Sequence, residues 1–360
     1  MNKQEIIYLV KKLISFKSET NNQKEIDNCI NYIERYFSNS NLFVKKYFSA
    51  SKPSLLISNK PTSKFDLLFN GHIDVVGADD RWFKPKVSKN KIIGRGAIDM
   101  KGSIAVLMAL FKNLPKTKKN IGLMIVSDEE IDGNNGTKFL LQTKKITPKI
   151  TIICEESNFN VVIKQKGQIT IKIETRGKSG HGSQPWTGTN AIEKLMIYYA
   201  KIRKLFPKIQ KNKWNSMSIN IGKFTGGIAP NVIADKAELL LDIRYPTLEC
   251  YNLFIKKLNK LAEDSQFKYS ILSKTSPMTS GNVSKYIKTL NKITKITINR
   301  RPEIKWTNYC SDGRYFSDKN LPVIEFGPIG ANYHAGNEYV NINSLIDYYK
   351  ILQKFITSLK

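Results

Sequence analysis

Apolar residues recur at helical spacing twice near the start of the chain, first at Ile6, Ile7, Val10, Leu13 and Ile14, then at Ile26, Ile30, Ile33 and Phe37. Two helices are therefore expected. Short apolar runs follow at Leu42-Phe-Val-Lys, Ser54-Leu-Leu-Ile-Ser and Phe65-Asp-Leu-Leu-Phe, and they read as strands. A helix is expected from Gly102 to Leu114, a buried strand at Ile121-Gly-Leu-Met-Ile-Val, a helix around Thr137 to Gln142 and a strand at Ile150-Thr-Ile-Ile-Cys. Buried strands alternating with helices predict an α/β domain, with a mixed, mostly parallel sheet covered by helices.

The middle of the chain has a different period. Val161 to Thr175 alternates apolar and polar residues, as Ile169, Ile171 and Ile173 show, and this predicts half-exposed antiparallel strands. A helix near Ala191 to Leu205 follows, then strands at Met217-Ser-Ile-Asn-Ile and Ala237 to Arg244, a helix at about Leu248 to Asp264, and a strand at Tyr269-Ser-Ile-Leu. The order β-α-β-β-α-β is that of a ferredoxin-like α+β unit. The expected organisation is one domain formed by 1–166 and 280–360, with 167–279 inserted into it. The tail from Ser284 returns to the α/β pattern, with a strand at Val323-Ile-Glu-Phe and a last helix from Ile342 to Leu359.

Composition narrows the function. A chain of 360 residues that is 41% hydrophobic can fill ordinary cores, and at about 150 residues per domain two domains are expected. The longest apolar run, Ile104 to Phe111, is far short of the roughly 20 residues of a membrane span, so no membrane association is expected. Lys11 and Lys12 interrupt the first apolar stretch, so it does not read as an export signal. The four cysteines, Cys29, Cys154, Cys250 and Cys310, form no C-x-x-C pair, and reduced thiols in a cytoplasm are expected. With 58 Lys and Arg against 30 Asp and Glu, the net charge is +28. A basic nucleic-acid-binding protein is the reading from a different class. The lysines are spread along the chain with no basic tail or aromatic-interleaved stripe, so a nucleic-acid partner is not expected. An acidic small molecule suits the field better.

The chemistry concentrates around three histidines, the only ones in the chain. His72 ends a buried strand in Gly71-His-Ile-Asp-Val-Val. Asp74, two residues on, faces the same side and can orient its imidazole. Asp99 lies in Gly94-Arg-Gly-Ala-Ile-Asp-Met-Lys-Gly before a helix, where an N-cap is the structural alternative. Glu129 and Glu130 follow a strand in Ser127-Asp-Glu-Glu, Glu155 ends the next strand in Cys154-Glu-Glu-Ser, and His334 lies in Ala331-Asn-Tyr-His-Ala-Gly-Asn-Glu. Each of these segments is read as a strand delivering a His or carboxylate at its C-terminal end. Such ends share one rim of a sheet, and a rim with two His and several carboxylates suits two zinc-type ions.

These motifs, in this order and spacing over nearly the whole chain, resemble the di-zinc aminoacylase and carboxypeptidase family. The resemblance implies that the inserted segment is a lid and dimerisation domain, and that the chain is a homodimer. It implies two Zn²⁺ per subunit, with Co²⁺ as a substitute. Asp99 would bridge the ions, His72 and Glu155 would complete one site, and Glu130 and His334 the other. Asp74 would support His72, and Glu129 would be the general base. It further implies a cis peptide after Asp99. His181, in Ser179-Gly-His-Gly-Ser-Gln-Pro, resembles a lid histidine supplied by the partner subunit.

The implied reaction removes an N-acyl group from a small-molecule N-acyl amino acid. Asn231 in Gly226-Gly-Ile-Ala-Pro-Asn, Arg244 in Leu241-Asp-Ile-Arg, and Ser311 and Arg314 in Ser311-Asp-Gly-Arg-Tyr-Phe resemble residues that hold the substrate, and a guanidinium can grip a carboxylate bidentately. Ser-Asp-Gly-Arg and Asn337-Glu-Tyr-Val match the family branch that acts on N-succinyl-LL-2,6-diaminopimelate. Lys164-Gln-Lys-Gly-Gln and Asn308-Tyr-Cys depart from that branch, which usually has Arg-Arg-Gly-Ser and Gly-Gly-Thr there. N-acetylornithine, other N-acyl amino acids and dipeptides are the alternative substrates.

Overall fold

The computed structural model describes residues 2–206, 213–265 and 267–359. The chain divides into two compact units. One comprises 1–164, 279–305 and 311–360, and the other 165–278 with 306–310.

In the first unit, the helix Lys3–Ser15 starts at Asn2, whose side chain accepts the Gln4 amide, and it buries Ile6, Leu9, Val10, Leu13 and Ile14. Asn341 caps the helix Ile342–Ser358 through the Ser344 amide, a contact worth about 1 kcal/mol. That helix buries Leu345, Tyr348, Leu352, Phe355 and Ile356, and each such side chain contributes roughly 1.5–3 kcal/mol. The helix Gly102–Lys112 is apolar all round because it is buried on nearly every side. The expected end at Leu114 falls two residues later than the observed one.

These helices cover a large mixed sheet. From one edge its order runs Phe43–Ser49, Lys52–Ser58, Ile121–Val126, Leu67–His72, Thr151–Ile153, Val323–Glu325 and Val161–Gln165. The central four, Ile121–Val126, Leu67–His72, Thr151–Ile153 and Val323–Glu325, are parallel neighbours, and the pairs flanking them are antiparallel. His72 pairs with Val126 and Asn70 with Ile153, so the segments that leave these strands start level with one another on one rim.

A smaller sheet holds Gly330–Ala331, Tyr339–Asn341, Lys91–Ile93 and Lys86–Ser88 in that order. No periodicity announced it, because its strands are two or three residues long.

In the second unit, Ser218–Gly226, Lys236–Tyr245, Gly167–Arg176 and Lys268–Thr275 form one antiparallel sheet in that order. Strands two, three, one and four of a β-α-β-β-α-β chain thus lie side by side, as a ferredoxin-like unit requires. The helices Ala191–Arg203 and Leu248–Ser265 supply the α layer. Ile169, Ile171 and Ile173 meet Leu195, Leu239, Leu241 and Ile243 in its core. The alternation in 161–175 therefore has two origins. Gly167–Arg176 is half-buried as expected, whereas Val161–Gln165 is a strand of the large sheet.

Candidate metal centre and active site

The parallel strands place two of the expected clusters. Leu67–His72 ends in His72, which is 1% exposed. Thr151–Ile153 leads within two residues to Glu155, and Ile121–Val126 leads to Glu129 and Glu130. Asp99 and His334 arrive differently from the expectation that every donor follows a strand of one sheet. Asp99 stands in the loop after Lys91–Ile93, and His334 in the loop between Gly330–Ala331 and Tyr339–Asn341, so both come from the small sheet. The loop at Asp99 turns at Gly96, whose φ of 79° lies in the left-handed region where a side chain is strained. The Asp99–Met100 peptide bond is cis.

Asp99 does not cap the following helix; its two oxygens diverge. Oδ1 lies 3.2 Å from Nε2 of His72, and Oδ2 lies 3.1 Å from Nε2 of His334. Glu155 Oε1 is 3.2 Å from the same atom of His72, and Glu130 Oε2 is 3.3 Å from that of His334. Two donor groups result, His72–Asp99–Glu155 and Asp99–Glu130–His334, sharing the one aspartate. Ligands around a tetrahedral metal ion at ~2.0–2.1 Å stand about 3.3 Å apart, so the separations in each donor group suit a metal ion.

The electrostatics agree. Burial pushes Glu155 up to about 7 and Glu156 up to about 10, and the nearby Asp99 carboxylate adds to both. Hydrogen bonds to Asp99 and Glu130 lift His334 to about 10. Burial works against a charged His72, yet Glu155 and the bonds to Asp74, Asp99 and Glu155 carry it well above the usual imidazole range. A pocket with this excess of carboxylate holds positive charge on its histidines, and metal cations satisfy the same demand.

Asp74 supports the site in a way the i, i+2 spacing did not show. Its backbone carbonyl is the near acceptor for His72 Nδ1, at 2.9 Å, and its carboxylate is farther, at 3.4 Å. That carboxylate accepts the amides of Glu129 (3.2 Å) and Glu130 (3.1 Å) and the Thr20 hydroxyl (3.3 Å). One residue thus fixes the His72 ring and the backbone of the acidic pair.

Glu129 belongs to neither donor group. Burial holds its carboxyl well above the ordinary range, and Arg314 Nη1 stands 4.0 Å from its Oε1. Arg314 is 3% exposed, donates from Nη2 to the Asp132 carbonyl, and faces Asp312 at 3.9 Å. Ser311 is also buried, and its hydroxyl accepts the Gly313 amide.

Two further groups lie in the second unit. His181 is exposed and forms a bridge with Val232, while the Gly182 amide donates to the Asn231 carbonyl at 2.7 Å. His181 and Asn231 are therefore neighbours. The Ser183 amide donates to His181 Nδ1 at 3.2 Å, so Nδ1 accepts and Nε2 carries the ring N–H. Elsewhere in this unit Arg244 is held by Asp242 through Nε and Nη2, each at 3.0 Å, and its Nη1 lies 3.9 Å from Cys310 Sγ. In the segment Lys164-Gln-Lys-Gly-Gln, Lys166 is buried and donates to the Ser216 carbonyl.

Sequence reasoning passed over Glu338. The Asn337-Glu-Tyr-Val segment served only as a branch marker, and an acid next to a three-residue strand gives little signal.

Two His–carboxylate groups that share an aspartate, built from the rim of the parallel strands and the loops of the small sheet, are the donor set of a metal-dependent hydrolase. The chain belongs to Peptidase family M20/M25/M40, whose model matches residues 68–358. Among curated proteins it is similar to the succinyl-diaminopimelate desuccinylases of Rickettsia massiliae (27% identical, covering 97% of this chain and 98% of that one) and Helicobacter pylori strain P12 (27% identical, 85% and 84%). Among solved structures it is similar to a tripeptidase from Staphylococcus aureus (TM-score 0.83, 20% identical, covering 100% of this chain and 99% of that one). A metallo-carboxypeptidase from Sulfolobus solfataricus gives TM-score 0.82, 18% identity and the same coverage. The protein is a metal-dependent hydrolase of amide bonds with the α/β architecture of that family. Among the described residues no helix is long and apolar enough to cross a membrane.

Proposed function

We propose that this protein is a di-zinc N-acyl-amino-acid amidohydrolase acting on N-succinyl-LL-2,6-diaminopimelate to give succinate and LL-2,6-diaminopimelate. The observation that carries the reading is the divergence of the two Asp99 oxygens toward His72 and His334, with Glu129 free of both donor groups. The substrate assignment is supported by the names of the relatives above. Co²⁺ would substitute for Zn²⁺ in sites of this donor set. The four cysteines are free thiols, which supports a cytoplasmic, reducing setting, and the names of the relatives support a place in the synthesis of lysine.

Two bound ions would acidify a water and polarise the scissile carbonyl. Glu129 takes the proton of the attacking water and returns it to the leaving amine. Its burial favours holding that proton, while the Arg314 guanidinium favours giving it up again. His181, with its proton on Nε2, donates to the developing oxyanion. We assign Asn231 and Arg244 to the substrate's carboxylates. Asp242 occupies the Nε–Nη2 edge of the Arg244 guanidinium and holds its plane. Ser311 and Arg314 complete the proposed substrate set.

In this reading the second unit is the lid and dimerisation domain, which supports residues 1–166 and 280–360 as the catalytic domain. Its outer strand Ser218–Gly226 exposes Ile221 and Phe224, and its helix Ala191–Arg203 exposes Met196 and Ile197, an apolar surface suited to a second copy. His181 would then act in the partner's site. Mixing His181→Ala with Glu129→Gln subunits is expected to restore about a quarter of wild-type turnover when subunits exchange freely, because half the dimers hold one intact site. Verified heterodimers with no recovered activity would refute action in trans.

The substrate is tested by a product-release assay over N-succinyl-LL-2,6-diaminopimelate, N-acetylornithine and a series of di- and tripeptides, with Zn²⁺ or Co²⁺ added. The succinyl compound is expected to lead in kcat/KM by roughly 100-fold or more, as a site built for a second carboxylate implies. A preference for acetylornithine or a peptide would overturn the assignment while leaving the amide hydrolase standing.

A further inference from the structure

Four donors converge on one buried carboxylate outside the metal-ligand set. Glu338 is 1% exposed. Its Oε2 accepts Arg95 Nη1 and the Gly96 amide, both at 2.9 Å. Its Oε1 accepts the amides of Ile98 (2.9 Å) and of Asp99 itself (3.2 Å). The loop that carries the shared aspartate would otherwise point several buried amides at nothing, and such groups need partners. No neighbouring strand can supply them, because the loop turns through the left-handed Gly96 and does not follow a ladder.

Glu338 is fixed in turn by its own backbone. The strand Tyr339–Asn341 pairs with Lys91–Ile93, and the Gly94 amide donates to the Glu338 carbonyl at 2.9 Å. His334 lies four residues upstream in the same segment, in a turn closed by Ala335 to Asn332 and by the Asn332 amide group to Asn337. One side chain therefore ties the Asp99 loop to the segment that presents His334.

We infer that Glu338 is a positioning residue for metal binding. By gripping the backbone of the Asp99 loop on both oxygens, it sets the separation and orientation of Asp99 relative to His334, and so the affinity of the ion held between them. The inference rests on the two-metal reading above. Two oxygens are required because four donors arrive in two pairs. A glutamine of the same shape would turn an NH₂ group toward one pair and set N–H against N–H.

The test compares wild type with Glu338→Gln and Glu338→Asp. Metal per chain is measured by elemental analysis, affinity by chelator competition, and the geometry by the visible absorption of the Co²⁺-loaded protein. Folding is followed by far-ultraviolet circular dichroism. In folded Glu338→Gln, one ion is expected to bind about 10- to 100-fold more weakly, the range found when a residue that orients a ligand is lost. A changed Co²⁺ spectrum should accompany it. Glu338→Asp, which keeps the charge but falls one methylene short, is expected to show the same direction, and it serves if the glutamine variant does not fold. Metal affinity and Co²⁺ spectrum equal to wild type in either folded variant, even with a lowered melting temperature, would overturn the inference and leave Glu338 a purely structural residue. A wild-type chain that binds fewer than two ions would instead overturn the two-metal reading, and Glu338 would then be judged on the ion that Asp99 holds.

Discussion

Glu129→Gln is expected to keep its full complement of metal and to lose about 10²- to 10⁴-fold in kcat, the usual contribution of a positioned acid–base group. The carboxylate of Glu129 stands outside both donor groups, so an amide in its place removes no ligand. Its backbone amide is held by Asp74, and its side chain sits by Arg314, so the amide should occupy the same space. What the amide cannot do is accept and return a proton. Burial raises the Glu129 carboxyl well above the ordinary range, which brings its basicity nearer to what proton transfer at neutral pH requires. KM should change little if the residue acts only as the barrier is crossed. Near-normal turnover would remove Glu129 as the base, and loss of metal in the same variant would make it a ligand.

Asp99→Asn is expected to act on both ions at once. Each oxygen of Asp99 belongs to a different donor group, so an amide deprives one ion of its ligand and weakens the charge that holds both. Bound metal should drop from two to fewer than one ion per chain, and activity by at least about 10³-fold, since the water and the carbonyl both depend on the pair. His334→Ala provides the contrast. It removes one donor from the Asp99–Glu130–His334 group and leaves His72 and Glu155 intact, so stoichiometry should fall only toward one. Unchanged stoichiometry in His334→Ala would refute its ligand role, and equal losses in the two variants would refute the bridge.

The residue types were legible where the chain is regular. His72, Glu129, Glu130 and Glu155 follow strands whose apolar runs are plain in the sequence, and parallel pairing then brings their ends to one rim. Asp99 and His334 were legible as motif residues but not as neighbours. Their supporting strands are too short for periodicity to register, and residues 91–93 and 339–341 pair across most of the chain. Asp74 shows the same limit at close range. Its spacing from His72 placed it near the ring, but its carboxylate is turned toward the amides of Glu129 and Glu130, which approach from another strand.

The sequence by itself determined the candidate donor residues, the two element patterns and the α/β and ferredoxin-like classes, because side-chain chemistry and hydrophobic period are local properties. Tertiary structure alone decided which oxygen of Asp99 meets which histidine and which residue of the small sheet carries the loop. Those outcomes depend on pairing between segments far apart in the chain, where separations of about 3 Å are set by packing and backbone hydrogen bonds that no single stretch of sequence contains.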